Sequence, residues 1–531
     1  MKTKFFLQVL ISAIMVLTLT MVALIPGQAQ ELAKEQVVRL GASDPDVDTL
    51  DPYFALRFSE VPIINIIYEG LLAWPRGKFD LNELKPSLAE RWELAPDKMT
   101  WTFYLRKGVK WHEGYGEFTA EDVKFSIERL KNPKLGSSMV VGWEPIESVT
   151  VVNPYTVKIR TKFTVPDLPT IMINYRGGYI MCKKAVEKLG DGIKLHPIGT
   201  GPFAFKIHKP RESITLVAHE DYWRGKPIIK KVEILFILDH STREMAFRSG
   251  ELDAISLESK KETIDRLRKD KFDVDLTSPA DMSVLYFNLT RKPLNDIRIR
   301  RALCYATNRD EFINFLGKEV AFPVYSSVPP WYVGYTDKVE HYEYSLEKAK
   351  KLLAEAGYPN GFKLDPVTVS SRSTLLPPIQ ILQEMWKKIG VTMELKVVDH
   401  PSYLGLLQKD VNPIVLYNSN RYPYTANTPF INFYHSKSIV GKPTAIANYS
   451  HYGEAMPGID KLVDEAYSEG DINKKLALWA KAQQQIAEDA ISFTLYVRRY
   501  SMAKWPYLDL GFKELSQELY DICETTRILK H

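Results

Sequence analysis

Cysteine is nearly absent from this 531-residue chain, with three residues, at 182, 304 and 523. They are too few and too widely spaced for a metal knuckle, a C-x-x-C redox motif or a disulfide framework. One disulfide between two of them stays open; otherwise they read as small buried hydrophobes. Beyond the N-terminus no run reaches 18 consecutive apolar residues, so no later transmembrane helix is expected. Low-complexity tracts and long blocks of like charge are also missing. Seventy basic and 65 acidic residues give a formal charge of only +5. Spread in this way, the charge excludes the concentrated basic face of a nucleic-acid binder. The chain lacks H-E-x-x-H, G-x-S-x-G and a P-loop lysine motif, and His196, His208 and His219 lack metal-ligand spacing. No catalytic residue, metal site or cofactor is therefore expected.

The N-terminus carries a definite pattern. Lys2 and Lys4 precede an apolar stretch from Phe5 to about Ile25, followed by Gly27-Gln28-Ala29. A basic start, an apolar core and small residues at the −3 and −1 positions form a secretory signal peptide, residues 1–29, cleaved after Ala29. The alternative is an uncleaved anchor, but Ser12, Thr18 and Thr20 dilute the apolar core. No cysteine lies near the cleavage position, so a lipoprotein anchor is not available. Removing Lys2 and Lys4 lowers the charge by two, from +5 to about +3. A soluble periplasmic protein is expected.

Along the rest of the chain, strands and helices alternate without a repeat. Residues 37–43 read as a strand. Trp101, Phe103 and Leu105 alternate with polar neighbours at the period of a half-buried strand. Thr119 and Asp122 form a capping box ahead of Val123, Ile127 and Leu130, and Asn132-Pro133 ends that helix. Further strands are expected at Val157/Ile159, at Ile214/Leu216/Ala218, and over 232–238, 391–397 and 413–419. Asp296, Ser345 and Asn473 are expected to cap helices, a fourth follows Pro377-Pro378, and Gly357 and Gly390 mark stops. The chain is α/β. A G-x-G-x-x-A match from Gly199 to Ala204 resembles a dinucleotide fingerprint, but Pro202, Phe203 and Phe205 point to a turn entering a strand rather than a helix.

An ordered set of segments spells a family. In sequence order they are TLDPYFA (49–55), IYEGLLAW (67–74), KPSLAERWEL (85–94), TWTFYLRKGVKWHEG (100–114) and FTAEDVKFSIERL (118–130). PIGTGPFAF (197–205), HEDYWRGKP (219–227), REMAFRSGELDA (243–254), YFNLTRKPLNDIRIRRALCYATNR (286–309), YSLEKAKKLLAEAGYPNGF (344–362) and WKKIGVTMELKVVD (386–399) follow. Together they resemble the family 5 extracellular solute-binding proteins, the dipeptide and oligopeptide receptors of ABC importers. The resemblance implies the two-lobed periplasmic binding protein fold, with a hinge between the lobes and an extra subdomain in lobe one. Lobe one is expected over 30–286, with the extra subdomain at about 79–185, lobe two over 287–494, and a return to lobe one over 495–531. The two crossings are expected near 286–289 and 494–498. A monomer that delivers a peptide or peptide-like solute from its cleft to a permease is implied.

The resemblance also points to ligand-binding residues. The segment from Val415 to Ser436 is rich in Tyr, Asn and Arg and aligns with the second lobe's cleft wall. Peptide-binding relatives carry a carboxylate there for the ligand ammonium, yet no Asp or Glu occurs between Val411 and Ile439. Asn418, Asn420, Arg421 and Tyr422 stand in that stretch. Because a guanidinium only donates hydrogen bonds, Arg421 favours an anion or a hydroxyl-rich ligand. Arg372 and Tyr53 complete the candidate set, Tyr53 as a cleft-edge residue with lobe-one packing as its alternative. The other readings are a non-peptide ligand (oligosaccharide, opine-like conjugate or metal chelate), an exported chaperone or sensor, and a secreted hydrolase.

Overall fold

In the computed structural model the described residues are 31–55, 60–75, 83–140, 142–173, 176–279, 281–419, 424–442, 446–512 and 520–531. The expected signal peptide and the outset of the expected subdomain lie outside them, as do Asn420, Arg421 and Tyr422.

The chain is two-lobed. Lobe one is built on a seven-stranded sheet in the order Asp273–Leu276, Ser501–Lys504, Ala254–Ser256, Val37–Ala42, Lys231–Phe236, Ser213–Ala218, Phe203–Lys209. Its central strand, Val37–Ala42, runs parallel to both neighbours. Ahead of the edge strand Phe203–Lys209 comes the turn anticipated at Gly199–Ala204. There a Cβ on Gly199 would lie 1.9 Å from the Ile67 carbonyl oxygen, and one on Gly201 2.5 Å from that of Ile66. Glycine is required by this close backbone approach, and no helix opens there.

An inserted four-stranded antiparallel sheet, ordered Ala89–Leu94, Thr100–Leu105, Thr156–Thr161, Ile146–Asn153, stands apart from that of lobe one. The helix Ala120–Lys131 packs on it, capped as expected: the Thr119 amide donates to the Asp122 carboxylate at 3.0 Å.

Lobe two carries the sheet Ala321–Phe322, Ser492–Arg498, Asp281–Phe287, Ile414–Ser419 and a parallel pair, Val367–Ser370 with Leu395–Val398. Asp296 and Ser345 cap the helices Ile297–Tyr305 and Leu346–Glu355. Asn473 does not cap the helix Ile472–Glu488. Asp471 does, accepting from the amides of Asn473 and Lys474, because its carboxylate sits one residue ahead of the first turn.

The crossings also differ from expectation. Asp281–Phe287 pairs along its length with Ile414–Ser419 and Ser492–Arg498, inside the lobe-two sheet. Tyr286 is buried there, stacked on Phe433 at 5.4 Å. The chain therefore leaves the lobe-one sheet at 277–279 and returns to it at 499–500. The three cysteines are all buried and free.

Candidate functional site

The two crossings form the floor of the interlobe cleft, and side chains clamp them. The Thr277 amide donates to the Tyr500 carbonyl, and the Tyr500 amide to the Thr277 hydroxyl, both at 3.0 Å. Just inside lobe two, Arg498 donates to Asp281 through Nη2 at 2.7 Å and Nε at 3.0 Å. Burial alone would lower the Arg498 pKa, but the Asp281 charge overrides it and holds the guanidinium above its usual value.

Lobe two presents the ends of two neighbouring strands toward this floor. Asn418, near the end of Ile414–Ser419, lies opposite Ser283, and its Oδ1 is buried with no hydrogen-bond partner. Arg372 follows the strand Val367–Ser370 and is exposed; its amide donates to the Ser370 hydroxyl at 3.2 Å. The same hydroxyl meets His400 Nδ1 at 3.1 Å. The His400 pKa is pulled down to about 4, first by burial and second by the Arg372 charge. Arg372 and His400 thus lie side by side on lobe two.

Lobe one answers with Glu258, two residues beyond the strand Ala254–Ser256. Burial raises its pKa, but hydrogen bonds from Lys260 (2.8 Å) and from the Ser373 hydroxyl of lobe two outweigh that and hold it below its usual value. Glu258 and Ser373 thus face each other from the two lobes. On another side Arg268 donates to both carboxylate oxygens of Glu319 at 2.9 and 2.8 Å, so the lobes are in contact at more than one place.

Of the sequence candidates, Asn418 lies near the end of the lobe-two strand Ile414–Ser419, and Arg372 lies in the exposed turn that follows Val367–Ser370. Tyr53 does not line the cleft in this structure. It is buried in lobe one, where its hydroxyl donates to the carbonyls of Ser126 (3.2 Å) and Tyr179 (3.1 Å) beside the Asp51–Arg129 ion pair. Glu258, Ser373 and His400 went unremarked in the sequence, since nothing local distinguishes them. Cavities of about 660 Å³, beside His112 and His219, and about 280 Å³, beside Glu69 and Arg224, lie within lobe one, away from the crossings. Among the described residues no cluster of His, Cys, Asp and Glu could hold a metal ion.

The family model for bacterial extracellular solute-binding proteins, family 5 (middle), matches residues 83–441. A dipeptide-binding protein of Escherichia coli (strain K12) is 29% identical over 461 residues, spanning 81% of this chain and 83% of its own. Among solved structures, MoaA of A. tumefaciens R10, in complex with mannopinic acid, is similar with a TM-score of 0.82 and 35% identity, covering 93% of this chain and all of that one. Helicobacter pylori DppA in complex with the peptide STSA shares the fold, with a TM-score of 0.77 at 24% identity, 94% of this chain and 99% of its own.

Proposed function

Because the chain belongs to family 5 of the bacterial extracellular solute-binding proteins, we propose that its cleft captures an anionic, hydroxyl-bearing solute of opine-like chemistry and delivers it to an ABC importer. The observation that carries this reading is the stretch between Val411 and Ile439, which holds no carboxylate while Arg421, Asn418 and Asn420 occupy it. A peptide ammonium buried without a counter-charge costs several kcal/mol. A ligand carboxylate beside Arg421 or Arg372, and a ligand hydroxyl donating to the unmet Asn418 Oδ1, are favoured instead. The similarity to MoaA, whose bound ligand is an acid, supports the same chemistry. The chain acts as a binding protein without catalysis. It is exported by cleavage after Ala29 and works as a monomer.

One observation favours a second reading. Glu258 reaches the interlobe seam and is placed to meet an ammonium group, so a peptide anchored from lobe one is the competitor. Calorimetry with mannopinic acid and with free and N-acetylated di- to pentapeptides separates the two. Binding of the acid, weakened by about 1.5–3 kcal/mol in Arg421→Ala, is the expected result. Tight binding of free peptides, abolished by acetylation or by Glu258→Gln and indifferent to Arg421→Ala, overturns it.

A further inference from the structure

Asp167 and Lys475 belong to different lobes. Asp167 follows the inserted-sheet strand Thr156–Thr161; Lys475 lies in the first turns of the lobe-two helix Ile472–Glu488. Lys475 Nζ is nevertheless 3.5 Å from Asp167 Oδ1, with the side chains only 1% and 10% exposed. Around the pair, Phe163 meets Tyr467 edge-on at 5.7 Å, and a Cβ on Gly470 would lie 2.6 Å from that of Thr164. Phe163 and Thr164 lie on the inserted side, Tyr467 and Gly470 in lobe two.

We propose that Asp167 and Lys475 form a clasp between the inserted subdomain and lobe two that sets how readily the cleft closes. Among the described residues the chain passes between the lobes at 277–279 and 499–500, so hinge opening separates this contact and returns both charges to water. Closing strips water from both at once. Lys475 then has the Trp479 ring at 5.7 Å as a second support, but Asp167 supplies the counter-charge. Removing either partner strands the other as a buried, uncompensated charge in the closed form alone. Replacing both with apolar groups removes that penalty. Gly470 shows how tight the seam is. Its φ is outside the range that strains an L-residue, so a side chain there is tolerated in each lobe separately and obstructs only their approach.

The test needs no ligand, so its failure and that of the opine-like reading are distinguishable. In the full chain without ligand, small-angle scattering reads the separation of the lobes directly. Asp167→Asn or Lys475→Met should raise the radius of gyration, because each strands one buried charge in the closed form. Combining Lys475→Met with Asp167→Leu should return the radius to near the wild-type value. An unchanged radius in both single variants, or a radius still raised in the double variant, overturns the proposal. If a charge variant fails to fold by circular dichroism, Gly470→Val decides: it should leave melting unchanged and raise the radius of gyration, and a folded Gly470→Val with an unchanged radius overturns the clasp.

Discussion

Protonation of His112 should destabilise the protein in a way that can be worked out from three hydrogen bonds. Its ring sits between two glycines of the turn leading into Phe203–Lys209: Nδ1 accepts from the Gly199 amide at 3.2 Å and Nε2 donates to the Gly201 carbonyl at 2.9 Å. The His112 amide also donates to the Gly199 carbonyl at 3.0 Å. Only the neutral ring protonated on Nε2 satisfies both contacts, because a second proton on Nδ1 would face the Gly199 N–H. Burial, then the neighbouring His219 ring at 4.7 Å, pulls the pKa down from 6.5 to about 3. The folded value is the lower one, so below pH 6.5 the unfolded chain takes up a proton that the folded chain refuses. Stability is whole above pH 6.5 and falls by about 1.4 kcal/mol per pH unit as pH drops toward 3, amounting to about 2 kcal/mol at pH 5. Urea unfolding of the wild type and His112→Gln between about pH 7 and pH 5 isolates this contribution, since the remaining groups cancel in the difference. The stability gap between the two should narrow by about 2 kcal/mol over that range. Parallel pH profiles, or an NMR signature of a charged His112 in the folded protein at pH 5, would refute the reasoning.

Gly199→Ala drives a methyl group into the Ile67 carbonyl and should cost about 1–3 kcal/mol; an unchanged melting temperature contradicts this. Asp281→Asn strands Arg498 in the clamp at the cleft floor and should cost about 3–5 kcal/mol, the range for breaking a buried pair, seen as a lower urea midpoint. None of the three cysteines should react with a thiol reagent until the protein unfolds, because all are buried, and burial first of all raises Cys182 and Cys304 to about 12; prompt labelling of the native protein tells against it.

Elements whose cause is local were legible in the sequence. Asp296 and Ser345 cap helices because a short polar side chain accepts from an amide two or three residues on, and at Thr119 the Asp122 carboxylate reaches back to the Thr119 amide; in each case the spacing is visible in the residues themselves. Asn473 was the expected cap, but Asp471, two residues earlier, carries the same chemistry and accepts from the amides of Asn473 and Lys474. Where pairing decides, the sequence ran further than the structure. Alternation predicted a strand over 391–397, but the parallel partner Val367–Ser370 is four residues long and Thr392 has only an isolated bridge to Lys363. The crossing was displaced for the same reason. Asp281–Phe287 reads as one more apolar run, and its membership of lobe two is fixed by strands more than 120 residues away in sequence.

The family segments that made the fold recognisable turn out to be its cement. IYEGLLAW, PIGTGPFAF and HEDYWRGKP converge on Glu69, whose buried carboxylate accepts from Thr200 (2.9 Å), Tyr222 (3.0 Å) and Trp223 (2.8 Å). REMAFRSGELDA buries Arg243 against the carbonyls of Ile237, Leu238 and Ser256. In YFNLTRKPLNDIRIRRALCYATNR, Arg300 is buried against those of Leu294, Asn295, Asp489 and Ala490. Each serves the packing within one lobe, where loss of a partner leaves a buried polar group unsatisfied. The groups that meet across the lobes lack such constraint. Arg268 with Glu319 and Asp167 with Lys475 are commonplace polar residues among 70 basic and 65 acidic ones, and they meet only where the lobes touch. A packed lobe tolerates few alternatives at Glu69 or Arg300, whereas a cleft wall open to solvent can change residues without unfolding either lobe. On the proposed reading, in which the stretch from Val411 to Ile439 forms part of that wall, ligand choice is free to vary there, where the acidic residues are missing.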